Sequence, residues 1–202
     1  MESKNKIRQP KQERSIETKN RIIMASYQLF EEVGYYGTNT AEIAKRAGVS
    51  TGIVYGYFKD KKDILSCALE IYLKEAFEPI FLLLDKIAPP IDFNVIIPKF
   101  LDQVIKIHSK HAKMHEALHS YTQEDLGVQQ HFLAQEDRLT IEIENKLLAL
   151  NVKIDNPKER IHFCMDIIQS FSHEFVFDKH DYIDYDKMKE MVVKTLISLF
   201  NN

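Results

Sequence analysis

The hydrophobic positions between residues 15 and 65 recur with helical spacing and are interrupted at short intervals. The pattern predicts a first helix over Ser15–Val33, ended by Gly34. It predicts two short helices after that, over Ala41–Ala47 and Thr51–Phe58. Two short helices joined by a tight turn predict a helix-turn-helix, whose second helix fits the DNA major groove.

Polar residues and a glycine mark the ends of the two short helices. Asn39 precedes the first of them and Glu42 follows three positions later, which is the spacing of a capping box. Gly48 ends that helix because it adopts a positive φ without a steric cost. Ser50 is placed to cap the next helix. These signals set the boundaries of the helix-turn-helix.

The pattern stays helical beyond residue 60, and no run predicts a pair of strands. A long helix is predicted from about Lys61, kinked or divided at Pro79, and Pro89-Pro90 marks a firm break. Asn156 is expected to cap a helix that Pro157 opens. The later helical patterns cover residues 93–110, 112–122, 126–150, 157–177 and 185–200.

The predicted fold class is all-α, with about nine helices. Residues 1–14 lack apolar periodicity and predict a mobile basic arm. Residues 15–60 are expected to form a three-helix, helix-turn-helix DNA-binding domain. Residues 61–202 are expected to form a larger helical domain for regulation, ligand binding and dimerisation.

The charge of the 202-residue chain changes sign along its length. Residues 1–62 carry 12 lysines and arginines against 7 acids, whereas residues 63–202 carry 15 against 23. A basic N-terminal unit suits contact with phosphates, while an acidic remainder is expected to point away from DNA.

The rest of the composition excludes other classes of protein. Ile80–Leu84 is the longest unbroken apolar run, so no segment is expected to span a membrane. The N-terminus shows no apolar signal region, and Cys67 and Cys164 match no metal or redox spacing. We expect a cytoplasmic protein with two buried free thiols and neither a cofactor nor a metal. Because no motif activates a nucleophile, we expect no enzyme.

The segment from Thr18 to Leu65, about a quarter of the chain, resembles the DNA-binding domain of the tetracycline-repressor (TetR) family of bacterial transcription regulators. The resemblance implies a homodimeric repressor that a small, largely apolar ligand releases from a palindromic, double-stranded operator. The matching residues are Thr18, Ile22, Ala25, Leu29, Phe30, Gly34, Tyr35, Thr38, Ile43, Ala44, Ala47, Gly48, Val49, Ser50, Gly52, Tyr55, Phe58, Lys61 and Leu65.

Ten residues form the predicted DNA contact. The N-terminus of the second helix is expected to bind phosphate through free N–H groups and the helix dipole. The resemblance adds two tyrosines that contact DNA backbone or base edges, and a lysine that contacts phosphate. The residues are Thr38, Asn39, Thr40, Ser50, Thr51, Gly52, Ile53, Tyr55, Tyr57 and Lys61.

Three positions in this set leave alternatives open. Ile53 can pack on a thymine methyl group, or be partly buried if its helix is rotated. Tyr55 and Tyr57 are alternatively partly buried aromatic residues. Val54 and Phe58 are expected in the core of the domain.

The last two long helices, through which the resemblance implies dimerisation, carry apolar seams spaced by three and four residues. Two such helices from each subunit would form an intermolecular four-helix bundle. The alternative is that the seams serve the core of one chain. The predicted interface residues are Ile161, Ile168, Phe171, Phe175, Met188, Val192, Thr195, Leu196 and Leu199, with Cys164 and Met191 on the same seams.

The resemblance also implies a ligand pocket between the other helices. Its aromatic candidates are alternatively plain core, and Glu136 is alternatively a surface residue. The predicted pocket residues are Phe77, Phe81, Phe100, His108, Met114, His115, Phe132, Glu136 and Phe163.

Four histidines, His108, His111, His115 and His119, leave three uses open: a metal site, polarity in a pocket, or solvated and capping residues. A helix break near residue 111 would spoil the stacking that metal binding needs. For the whole protein, the alternative to a ligand-responsive repressor is a DNA-binding protein of the same fold without a small ligand. Such a protein would act in chromosome organisation or through a protein partner.

Overall fold

The computed structural model describes residues 8–122 and 126–200, and nine helices without strands occupy these ranges. The all-α prediction is confirmed. The helices are α1 (Arg8–Val33), α2 (Thr40–Ala47), α3 (Thr51–Tyr57), α4 (Lys61–Asp85), α5 (Phe93–Lys110), α6 (Ala112–Thr122), α7 (Leu126–Ala149), α8 (Pro157–Phe177) and α9 (Tyr185–Ser198).

The described residues divide into two compact units. The first contains the chain up to Tyr72 and the stretch from Lys113 to Val128, and the second contains the remainder. The first unit is larger than the segment 15–60 expected from the sequence, because α6 is bonded to the first turns of α4. The Tyr72 hydroxyl lies 2.9 Å from Nδ1 of His115, and the Lys62 ammonium lies 4.8 Å from the centre of the Tyr121 ring.

The core of the first unit is built from one apolar face of each of its first four helices. Complete burial of such a side chain stabilises a fold by roughly 1.5–3 kcal/mol before the entropy cost is counted. The fully buried side chains include Ile22, Phe30, Ile43, Val54, Ile64 and Leu65. The exposed faces of α2 and α3 are therefore fixed by the burial of their opposite faces.

The second unit is organised around α5, α8 and α9. Leu101, Ile161 and Leu196, one from each helix, are almost completely buried. Nη1 of Arg160 donates to the carbonyl oxygen of Leu199 at 2.6 Å, which ties the start of α8 to the end of α9. On the surface, the Lys189 ammonium pairs with Asp102 at 2.5 Å and links α9 to α5.

Three local predictions differ from the structure. Helix α1 begins at Arg8, so residues 8–14 are helical, and residues 1–7 of the predicted arm lie outside the described residues. Pro10 fits there because the N–H groups of a first turn have no helical partner to lose. Helix α4 continues through Pro79 to Asp85, so it is not divided there, and the predicted kink stays a prediction.

The third difference concerns the start of α8. Asn156 precedes α8 in a left-handed conformation, with φ of 50°, and its side chain makes no capping hydrogen bond. Pro157 does occupy the first turn, as predicted. Side-chain caps are present instead on α5 and α9, from Asp92 and Asp184.

None of the helices in the two described ranges combines the length and the apolar character that crossing a bilayer requires.

Candidate nucleic-acid interface

The N-terminus of α2 is closed by a reciprocal cap. Oδ1 of Asn39 accepts the N–H groups of Ala41 and Glu42 at 3.1 and 3.0 Å, and Oε2 of Glu42 accepts the N–H of Asn39 at 3.2 Å. The predicted capping box is confirmed. Because the Asn39 side chain takes up two of the first N–H groups, this end offers fewer free donors to a phosphate than predicted.

Thr38 does not have the role expected of it. Its side chain is buried, and its hydroxyl donates to the carbonyl oxygen of Gly34 at 2.9 Å. A phosphate oxygen needs a donor, so this side chain is not available for phosphate contact. Thr38 instead holds the turn between α1 and α2, while Asn39 and Thr40 remain at the surface.

Lys61 has a structural role that its sequence position did not indicate. Its ammonium donates to the carbonyl oxygens of Tyr35 and Thr38 at 2.8 and 2.7 Å and lies 4.2 Å from the centre of the Tyr35 ring. Burial lowers the pKa of this ammonium. Lys61 therefore clamps the turn that precedes α2. The predicted phosphate contact stays a prediction, and the third N–H of the ammonium is the group that would make it.

The turn between α2 and α3 has the geometry that the sequence indicates. Gly48 adopts φ of 66°, in the left-handed region that an L side chain rarely occupies. Oγ of Ser50 accepts the N–H of Ile53 at 3.3 Å and caps α3. The predicted cap and the helix-ending glycine are confirmed, and only three residues separate the end of α2 from the start of α3.

Helix α3 has one buried and one exposed face. Val54 and Phe58 are buried, as predicted. Ser50, Thr51 and Gly52 are exposed, and the Ile53 side chain, which is 42% exposed, lies beside them. Ile53 is therefore accessible on this face, and the alternative of a rotated helix with a partly buried Ile53 stays open.

The two tyrosines of α3 link it to its neighbours through their hydroxyl groups. The Tyr55 hydroxyl lies 3.1 Å from Oγ1 of Thr40 at the start of α2, and the Tyr57 hydroxyl lies 3.1 Å from Oγ of Ser15 in α1. Tyr55 is 54% exposed, whereas Tyr57 is half-buried. Ser15 was not predicted to belong to this surface, because a contact across 42 residues leaves no local signal.

The two glycines of α3 are not required by packing within the chain. A Cβ atom added to Gly52 would approach only Oγ of Ser50, at 3.9 Å, and one added to Gly56 would meet nothing within 4 Å. A glycine inside a helix costs about 1 kcal/mol relative to alanine. The fold accepts this cost twice on a surface that faces outward, which fits a close approach by another molecule.

Exposed cations accompany this surface along the chain. Arg14, Lys19, Arg21 and Lys45 are exposed. Arg46 differs from them because its guanidinium makes two bonds to Glu32, at 2.6 and 2.7 Å, and these bonds lower the pKa of that carboxyl group. Four cations of residues 1–62 are thus exposed in the first unit, while the side chains of residues 1–12 lie outside the described part of the chain.

The second unit contains a cavity of about 90 Å³, which is lined by apolar side chains and by Lys146. Phe100 is the one residue of the predicted pocket that lines it. The other walls come from the end of α4, from α5, from α7 and from α8, with Phe93 and Phe200 stacked at 5.0 Å on one side. The predicted pocket therefore differs from the cavity in almost every residue.

The remaining predicted pocket residues lie elsewhere. The centre of the Phe77 ring lies 6.4 Å from those of both Phe81 and Phe132, and all three side chains are partly buried. Met114 and His115 are buried in the first unit, and Phe163 is exposed at the surface of the second. Glu136 is half-buried, and this burial raises the pKa of its carboxyl group.

The four histidines do not form one row, since α5 ends at Lys110 and α6 begins at Ala112. Nδ1 of His108 lies 2.9 Å from the carbonyl oxygen of Val104. His111 follows α5 and has Nε2 3.7 Å from Glu75. His115 is bonded to Tyr72 and belongs, with His119, to the other unit.

The predicted dimer seam is largely used inside the chain. Ile161, Ile168, Phe171 and Leu196 are buried in the monomer, which supports the alternative that they form its own core. Of the other members, Thr195 is exposed, and the remaining four are partly buried: Phe175, Met188, Val192 and Leu199. Two large apolar side chains of these helices are exposed: Met191, which lies on the predicted seam, to 67%, and Phe163, which does not, to 52%.

Part of the first unit is similar in sequence to known regulatory proteins. Residues 22–67 match the family model described as bacterial regulatory proteins of the tetR family. A segment of 54 residues is 50% identical to the HTH-type transcriptional regulator HbdR of Aromatoleum, and it covers 27% of this chain and 24% of HbdR. The match thus spans about a quarter of that relative.

Two solved structures share the fold over most of the chain. A regulator assigned to the tetR family from Mesorhizobium loti has a TM-score of 0.73 at 16% identity, covering 92% of this chain and 96% of its own. The transcriptional regulator FadR from Bacillus subtilis, solved in complex with stearoyl-CoA, has a TM-score of 0.60 at 19% identity, covering 90% and 98%. At these identities the likeness shows the fold alone.

Proposed function

We propose that this chain, which belongs to the tetR family of bacterial regulatory proteins, is a cytoplasmic, homodimeric transcriptional repressor that a small apolar ligand releases from a palindromic operator. The family acts by binding DNA and not by catalysis. The observation that carries the proposal is the exposed face of α3. The caps of α2 and α3, at Asn39 and Ser50, fix where these two helices begin.

The exposed face of α3 is suited to the major groove. Its first turn offers Thr51, Gly52 and Ile53 without covering side chains. Thr51 supplies a hydroxyl group for hydrogen bonds to base edges, and Ile53 supplies an apolar surface for a thymine methyl group. Because Gly52 has no side chain, the helix backbone can approach the bases closely. Exposed cations of α1 and α2 are then available for phosphates.

Dimerisation is proposed through the outer faces of α8 and α9. The buried seam residues are excluded from an interface, so we assign its centre to the exposed Phe163 and Met191, with Thr195 beside Met191 on α9. A dimer with two-fold symmetry carries two copies of α3. The half-sites of the operator would then be related by the same symmetry.

The apolar cavity supports the ligand part of the proposal. A cavity lined by aliphatic and aromatic side chains stays dry and binds apolar molecules. This favours a small-molecule regulator over the alternative of a ligand-free, chromosome-organising protein, for which a filled core is expected. The FadR structure with stearoyl-CoA supports the same point, because that protein of like fold holds a ligand with an apolar chain. A ligand that prefers one arrangement of the dimer shifts the population and weakens DNA binding.

The test begins with selection of duplexes from a random-sequence library by the full chain. The enriched site is then titrated by fluorescence anisotropy at several salt concentrations. We expect a palindromic site, an affinity that falls linearly with salt on logarithmic axes, and loss of preference for it in Thr51→Ala. Enrichment of no site, with equal affinity for random duplexes, would reject the proposal.

A further inference from the structure

A second, more open pocket lies next to the apolar cavity. Ile87, Ile96 and Phe100 line both, so the two spaces are separated by one layer of side chains. The outer pocket is about 380 Å³, larger than the inner cavity of about 90 Å³. A molecule that displaces the shared side chains occupies both spaces at once.

The two spaces differ in polarity. The inner cavity is apolar except for Lys146, whose ammonium donates to the carbonyl oxygen of Asp85 at 3.1 Å. The outer pocket is lined by Lys86 and Lys99 together with one acid, Asp92. The Asp92 carboxylate is engaged at the start of α5, where Oδ1 accepts the backbone N–H and the side-chain amide of Asn94, both at 2.9 Å. Two exposed lysines therefore line the outer pocket, against one carboxylate that is already bonded.

We infer that the ligand of this site is an anionic amphipath: an unbranched or short apolar chain lies in the inner cavity, and an anionic group lies between Lys86 and Lys99. This deepens the proposed function and rests on it, since it names the class of the releasing ligand. The size of the inner cavity limits the part of the chain that enters without rearrangement. It is smaller than the engineered cavity of about 150 Å³ that holds benzene, so the fit is a few carbon atoms.

The apolar wall makes affinity depend on chain length. Each CH₂ group that enters a dry apolar cavity contributes about fourfold in affinity, until the cavity is full. The head group makes affinity depend on charge, because an alcohol of the same length has no anion for the two lysines. Chain length and charge are thus separate variables, and each is assigned to a named part of the site.

The experiment uses isothermal titration calorimetry of the full chain with the straight-chain carboxylates from butanoate to decanoate, and with the primary alcohols of equal length. We expect affinity to rise about fourfold per CH₂ and then level off. We expect each carboxylate to bind about tenfold more tightly than its alcohol, and this difference to disappear in the Lys86→Gln, Lys99→Gln double variant. Decanoyl-coenzyme A is tested beside decanoate, to determine whether the anion is a free carboxylate or a phosphorylated carrier.

Two controls match these variants. Lys106→Gln with Lys110→Gln removes the same charge from exposed positions of α5 that line neither space, and it should leave the carboxylate preference intact. Cys164→Leu fills the inner cavity and should lower the affinity of every chain by about tenfold. Cys67→Leu makes the same exchange in the other unit and should have no effect.

Each outcome decides between the claims. Equal binding of alcohols and carboxylates would overturn the anionic class, and a preference that survives the lysine double variant would overturn its site. Absence of binding by every chain, while the selected duplex is still bound by the same preparation, would overturn the amphipath and leave the DNA-binding proposal standing. Loss of duplex binding itself would reject the proposed function instead.

Discussion

Helix α3 and helix α8 carry apolar residues at similar density, but they place them differently. In α3, Ile53 and Tyr55 remain exposed beside capped helix ends, and only Val54 and the following Phe58 enter the core. In α8, Ile161, Ile168 and Phe171 are buried while Phe163 is exposed. The orientation of α3 is held by its cap at Ser50 and by packing on α2, the helix just before it in the chain, with one hydroxyl bond to the distant Ser15. The orientation of α8 is set by packing on α5 and α9, which are distant in sequence. An exposed apolar residue therefore indicates function only once it is known which contacts, near or distant in the sequence, keep it at the surface.

The largest effect that tests this difference is expected on α9. Leu196 is completely buried, whereas Met191, five residues earlier, is 67% exposed. Leu196→Glu places an unpaired carboxylate in the core and should lower the free energy of unfolding by about 3–5 kcal/mol. Met191→Glu should leave thermal stability of the monomer nearly unchanged and should dissociate the dimer.

Thermal denaturation and analytical ultracentrifugation separate the two α9 variants. Lys194→Gln, which lowers the net charge by the same one unit at an exposed position of this helix, is the control for charge. A folded, dimeric Met191→Glu protein would place the interface away from α9. A fully stable Leu196→Glu protein would contradict the burial of Leu196.

The second prediction concerns the Lys61 clamp. Lys61→Met leaves two carbonyl oxygens without their charged donor and should lower the free energy of unfolding by about 2 kcal/mol. If the ammonium also contacts phosphate, the slope of log affinity against log salt should decrease by about 0.9. Lys59→Met, an exposed neighbour, should leave stability unchanged. An unaltered stability would show that Lys61 does not clamp the turn, and an unaltered salt slope would show that it does not contact phosphate.

The cap of α2 gives a smaller effect. Asn39→Ala removes the acceptor of two N–H groups and should cost about 1.5 kcal/mol in urea denaturation. Asn39→Asp keeps the acceptor and should retain most of the stability. A variant Asn39→Ala as stable as the original would show that the capping box does not hold the N-terminus of α2.

The glycines of α3 separate stability from binding. Gly52→Ala and Gly56→Ala should each raise the free energy of unfolding by about 0.9 kcal/mol, because the added methyl group meets no close neighbour. Gly52→Ala should nevertheless weaken operator binding, since its methyl group points into the proposed groove contact. If Gly52→Ala stabilised the protein and bound the operator as tightly as before, close approach of the backbone at this position would be excluded.

The sequence predicted the first unit well because its determinants are local. Asn39 with Glu42, Gly48 and Ser50 act within five residues of the helix ends that they define, and the structure confirms each of them. Exposure of Ile53 and burial of Val54 follow from the same short segment. The hydroxyl bond between Ser15 and Tyr57 was missed, because it joins residues that have no pattern in common.

The second unit was predicted in its helices but not in its packing. The bounds of α5, α6 and α8 are as predicted, because apolar periodicity and prolines mark them. Which face of α8 turns inward depends on α5 and α9, so periodicity could not distinguish a core seam from a dimer seam. For the same reason the apolar cavity contains Phe100 but none of the other predicted pocket residues.

The central claim is that the exposed face of α3 reads bases, and Ile53 tests it most directly. The Ile53 side chain has no hydrogen-bonding group, so it discriminates only by apolar contact, and the apolar group in the major groove is the C5-methyl group of thymine. Within the selected site, each thymine is replaced singly by uracil, and binding is measured for the original protein and for Ile53→Ala. We expect one thymine per half-site whose replacement costs the original protein about 0.8 kcal/mol and leaves Ile53→Ala nearly indifferent. If no replacement distinguishes the two proteins, Ile53 does not contact the bases and the account of α3 is contradicted.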